Sequence, residues 1–147
     1  MKKTPLEYAM NLIRMRDRSE GEIRQKMRLK GFFAEEIEET VGFLKERKFV
    51  DDLRFVDNYV ASQCRQKISG RNKMRFRLRG LNVAEDLIEK SLGQIKLEDE
   101  IETAKALAQK WLSKNGESGY NKDKLGRFLA GRGFGYDVIS RLFLEIK

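Results

Sequence analysis

The sequence predicts an all-α protein assembled from three tandem three-helix repeats. A repeat of 51 residues is the first observation: sliding the chain against itself by that length superimposes Ile23, Met74 and Leu125, then Met27, Leu78 and Leu129, then Gly31, Asn82 and Gly133. The register continues through Phe32, Val83 and Phe134, through Ile37, Ile88 and Ile139, through Val41, Leu92 and Phe143, and through Leu44, Ile95 and Ile146. Such self-similarity marks stacked repeats. Helical spacing of the apolar residues is the second observation, and the third is that almost nothing alternates with period two. The units are placed at 1–50, 51–97 and 98–147. A unit of that size buries too little surface alone, so the three are expected to share one core as a single structural unit.

Local signals set the helices. Pro5 opens the first, in which Leu6, Ala9 and Ile13 carry the apolar face to about Arg16. Ser19 followed by Glu22 reads as a capping box for the second helix, and Gly31 suits its left-handed C-terminal position. Asn82, the commonest substitute for glycine in that conformation, keeps the position usable in the middle unit. The third helix spans about 34–47. The middle unit places helices near 52–66, 70–81 and 84–95, and the last unit near 97–112, 122–132 and 136–146. Ser113 to Asn121, with Gly116, Ser118 and Gly119, reads as a flexible loop.

Composition removes several function classes. The chain has 147 residues, no histidine and one cysteine. No imidazole means no Ser-His or Cys-His nucleophile pair and no His-containing zinc site, and one thiol holds neither a disulfide nor a zinc ion. Cys64 falls among apolar helix positions and is expected to be a buried small hydrophobe. Asp51, Asp52 and Asp57 form the tightest acidic group, and Asp51 with Asp52 reads as an N-cap and first-turn anion. Gly131 and Gly133 flank Arg132 without the strand or lysine of a phosphate loop. The expectation is a protein with no catalytic residues, no metal and no cofactor. No signal-like stretch or bilayer-length apolar run stands in the sequence, so a cytoplasmic location is expected.

Charge points to an anionic partner. The formal net charge is +8, and the middle unit is the most basic. No acid occurs from Asn58 to Ala84, where Arg65, Lys67, Arg71, Lys73, Arg75, Arg77 and Arg79 supply seven cations. Arg71, Arg75 and Arg79 fall at i, i+4 and i+8 on one ridge, and Lys73 with Arg77 on the far flank of the Met74 and Leu78 stripe. Like charges at that spacing repel by a few tenths of a kcal/mol per pair, a cost a bound polyanion offsets. Phe76 has polar repeat counterparts, Gln25 and Arg127, so the repeat does not need it in the core. It either packs on the next unit or serves as an exposed anchor for a protein or a stacked base. Tyr120 and Trp111 are weaker anchors, and Trp111, matched to Ala9 and Val60, is expected in the core.

The strings RSEGEIRQKMRLKGF (Arg18 to Phe32), VDDLRFVDNYV (Val50 to Val60) and GRFLAGRGFGYDVI (Gly126 to Ile139) resemble the RecX family of bacterial recombination regulators. The resemblance covers essentially the entire chain and rests on the order, spacing and recurrence of these segments. It implies an elongated, curved stack of three-helix units, monomeric and cytoplasmic. It also implies binding in the helical groove of RecA filaments on DNA, where ATP hydrolysis, strand exchange and filament growth are modulated, mostly inhibited, in DNA repair and the SOS response. Two other readings stay open: a DNA-binding protein without sequence specificity, and a helical-repeat adaptor that binds only protein. Arg and Lys without adenine-reading Asn or Gln contacts count against sequence-specific recognition, and the charge asymmetry counts against a protein-only adaptor.

Overall fold

Nine helices make up the described residues, 2–116 and 121–146 of the computed structural model. They are α1 (Pro5–Met15), α2 (Glu20–Lys30), α3 (Ala34–Glu46), α4 (Asp52–Gln66), α5 (Arg71–Gly80), α6 (Glu85–Leu92), α7 (Leu97–Asn115), α8 (Lys122–Gly131) and α9 (Tyr136–Glu145). No strand occurs among the described residues, and every helix pair in substantial contact lies within α1–α3, α4–α6 or α7–α9.

The helix starts follow local chemistry. Thr4 and Glu7 form a complete capping box ahead of Pro5, with the Glu7 N–H donating to Thr4 Oγ1 at 3.1 Å. Asp51 caps α4 by accepting from the Arg54 N–H at 3.1 Å, as expected. Ser19 caps α2 through the Glu22 N–H, but the Glu22 carboxylate turns away to Arg16 and Arg18, so the box expected there is only half formed. Gly31, Asn82 and Gly133 all adopt left-handed backbone, at φ of 105°, 60° and 96°. The repeat thus preserves a backbone state and lets the residue vary.

Two boundaries differ from expectation. Helix α6 stops at Leu92, capped at Gly93, and α7 continues to Asn115, so Ser113 to Asn115 are helical instead of loop. Residues 117–120, including Tyr120, lie outside the described residues.

The expected shared core is replaced by three separate ones. Ile23, Met27, Ile37, Val41 and Leu44 bury together in the first unit, Met74, Leu78, Ile88 and Leu92 in the second, and Leu125, Leu129, Phe134 and Leu142 in the third. Each three-helix group closes its own apolar stripe. In the last unit, Val138 and Leu142 take the fully buried positions, while Ile139 and Phe143 are half-buried beside them. The face of α9 is therefore turned by one residue from the repeat register, where it packs on α7, which has 19 residues against 15 in α4. Trp111 is half-buried against this core, its ring 6.3 Å from Phe128.

The units join through backbone and carboxylates in the same way twice. At the first junction Ser19 Oγ donates to the Leu81 carbonyl at 2.7 Å, and the Glu20 N–H donates to Asp52 Oδ1 at 2.9 Å. At the second, the Gly70 N–H donates to the Arg132 carbonyl and the Asn72 N–H to the Gly133 carbonyl, both at 2.9 Å. The Arg71 N–H there donates to Glu100 Oε2 at 2.8 Å. Thus the N-termini of α2 and α5 are satisfied by the second turn and first helix of the following unit. Close approach requires glycine: a Cβ on Gly21 would stand 2.5 Å from Asn82 Cβ, and one on Gly133 2.5 Å from Lys73 Cβ.

Candidate functional site

The seven cations expected to form one patch divide into three groups. Arg75 reaches Glu89 with Nε to Oε2 at 2.7 Å and Nη2 to Oε1 at 3.0 Å, and Arg79 pairs with Glu85. Arg71 lies 3.3 Å from Glu100 and also donates to the Ile95 carbonyl. The ridge of Arg71, Arg75 and Arg79 is therefore neutralised by acids from α6 and α7, contrary to the expectation of an unpaired cationic ridge. Sequence distance hid those acids; folding of the helical hairpin brings residues 14 apart into contact for Arg75 and Glu89. The signal was present in the repeat. Arg24 pairs with Glu38 at 3.0 Å, and both residues shifted by one repeat give Arg75 and Glu89. This pair is a structural staple between second and third helices.

The hydrogen bond from Arg75 holds the Glu89 carboxyl below the ordinary carboxylate range, and Arg79 does the same to Glu85. Both acids remain charged partners at neutral pH.

Arg65 and Lys67 line a cleft of about 820 Å³ between α4 and α7, together with Arg71, Cys64, Asp99 and Glu102. Their field is shared with the acids opposite. Cys64 is half-buried there instead of fully buried, and burial pushes its thiol pKa up, which favours the protonated thiol at neutral pH.

Lys73, Phe76 and Arg77 form the remaining group, on the outer face of α5. Both cations are exposed, without an ion pair among the described residues, and Phe76 is 80% exposed. Of the two readings of Phe76, packing on the next unit is the one this exposure goes against. Tyr136, 86% exposed, follows Gly135, whose position faces the Asn72 side chain of α5. The middle unit owes this open charge to a substitution within the repeat. Position 22 in the first unit is Glu22, buried with Arg18 at 2.6 Å; one repeat later it is Lys73, and one further Lys124. The acid that closes a charge cluster in the first unit has become an exposed lysine in the next two, without an ion pair among the described residues.

Comparison with known proteins gives this geometry its setting. Two family models match: the first three-helix domain of RecX over residues 6–44, and the third three-helix domain of RecX over residues 98–143. A regulatory protein RecX from Chlorobaculum tepidum is 32% identical over 139 residues, covering 94% of this chain and 85% of the relative. The chain belongs to the RecX family. Another RecX relative, from Clostridium botulinum (strain Eklund 17B), is 36% identical over 143 residues, and this chain spans 66% of its length. The crystal structure of RecX from Lactobacillus salivarius shares the fold, with a TM-score of 0.84 at 20% identity over 97% of this chain and 94% of that one. The all-helical repeat architecture is thus the RecX architecture. No helix among the described residues is long and apolar enough to cross a membrane.

Proposed function

We propose that this chain is a non-catalytic regulator that binds RecA filaments on DNA and restrains their growth, ATP hydrolysis and strand exchange. The outer face of α5 makes the contact. The observation that carries this reading is the placement of Lys73 and Arg77 around an exposed Phe76, on a helix whose other cations are already neutralised. Two free cations and an aromatic anchor suit a partner that offers phosphate and protein together. The name regulatory protein carried by the relatives agrees with a modulating role. On this reading the protein works as a monomer in the cytoplasm, where the filament forms, and needs no cofactor.

The same cations favour one competing reading, plain coating of DNA. Parallel sedimentation with ATP-bound RecA filaments, bare single strands and duplex separates the two. The filament is expected to be bound most tightly, with affinity falling steeply between about 50 and 200 mM salt. Equal affinity for filament and bare DNA would establish the DNA-coating reading in its place.

A further inference from the structure

In the second and third units the turn between second and third helix is covered. The Leu81 carbonyl accepts from Ser19, and the Arg132 and Gly133 carbonyls accept from Gly70 and Asn72. The same turn in the first unit is Lys30–Gly31, and nothing among the described residues covers it: a Cβ on Gly31 would meet no atom within 4 Å. The two residues that bracket the turn differ from their counterparts in size. Leu29 and Phe33 stand where the middle unit has Gly80 and Ala84 and the last has Gly131 and Gly135. Both are open to solvent, Leu29 at 80% and Phe33 at 76%. The repeat folds with small residues at these positions, so the two side chains are not required by the fold.

We infer that the Leu29–Phe33 turn docks a partner protein through the N-terminal turn of one of its helices. The two internal junctions show the geometry: groups at a helix N-terminus donate to the carbonyls of the turn, backbone amides at the second junction and the Ser19 hydroxyl at the first. Leu29 and Phe33 add what the internal junctions lack, an apolar grip on the flanks of that helix, as exposed paired hydrophobes do at protein contacts. Nucleic acid fits poorly. Only Phe33 of the two offers a ring for stacking, and Glu35, Glu36 and Glu39 at the start of α3 outnumber Arg28 and Lys30 at the end of α2. A second copy of this chain fits poorly too. The N-terminus of α8, the only second-helix start left uncovered by a following unit among the described residues, is capped by its own Asn121, and its Lys122 and Lys124 would face Arg28 and Lys30. The identity of the partner as the recombinase subunit rests on the function proposed above.

The test compares the full chain with its Leu29→Ala/Phe33→Ala variant on ATP-bound RecA filaments and on bare single-stranded DNA. Ala84 already occupies the position of Phe33 in the middle unit, so the variant is expected to fold, with an unchanged helical spectrum and thermal midpoint. Filament affinity should fall about tenfold or more, equally at low and high salt, while affinity for bare DNA stays as it was. Wild-type binding to filaments by the variant would overturn the inference, and so would an equal loss on bare DNA, which would make the turn a nucleic-acid contact. Self-association of the wild type that the variant loses would assign the turn to a second copy and overturn it as well. No filament binding by the wild type would overturn the recombinase reading and, with it, the partner assigned here.

Discussion

Lys73 and Glu22 occupy one position of the repeat, and the contrast between them shows how a single side chain converts a structural cluster into an open surface. Glu22 is buried between Arg16 and Arg18, where removal of one partner would strand a charge. Lys73 sits on the same turn of an equivalent helix, exposed and unpaired among the described residues. Phe76 follows the same logic, since nothing in the core depends on it. Phe76→Ala is expected to change stability by less than about 0.5 kcal/mol in urea unfolding, as for exposed substitutions generally, while weakening filament binding. Leu78 behaves oppositely. It is fully buried in the middle core, and Leu78→Ala should cost about 2–5 kcal/mol by the same measurement. An unchanged urea midpoint would mean that the second helix does not pack as described.

Helices in this chain are held in pairs by charge and in series by glycine. The Arg24–Glu38 and Arg75–Glu89 staples fasten second to third helix one repeat apart, and Arg79–Glu85 adds a further pair in the middle unit. Folded-state pKa values of Glu85 and Glu89 are depressed, so their contribution is present above the ordinary glutamate range and is lost as pH falls through the depressed values. Stability of the wild type should therefore drop more on acidification than that of a Glu89→Gln variant, a small difference that salt narrows because the pairs are exposed. Between units, Gly133 has a left-handed backbone and no room for a Cβ beside Lys73. Gly133→Ala is expected to loosen the second junction, read as faster amide exchange at Gly70 and Asn72 with exchange in the first unit unchanged. Element order, the start of α1 at Pro5, the cap at Asp51 and the left-handed turns were legible because they depend on residues close in sequence. The Ser19 box misled because Arg16 and Arg18 compete for the Glu22 carboxylate, and no local rule weighs that competition.

At the scale of the molecule, three small cores follow one another along the chain, one in each three-helix unit. The 51-residue period made the architecture legible, whereas the separateness of the cores was not, because periodicity shows which residues are buried and not what they are buried against. The candidate surface was legible only in part. The charge run located the cations on and just before α5, but Arg71, Arg75 and Arg79 stand beside acids that only the folded hairpin and the second junction bring near. On the proposed function, filament contact therefore falls to Lys73, Phe76 and Arg77, and the ridge is structural. A competition titration on ATP-bound RecA filaments at physiological salt tests that division directly, comparing the wild type with Lys73→Glu/Arg77→Glu and with Arg75→Gln/Glu89→Gln, which removes a staple without leaving either charge alone. The account predicts that the first variant loses binding while keeping its helical spectrum, and that the second binds as the wild type does; full binding by the first, or loss confined to the second, would contradict it.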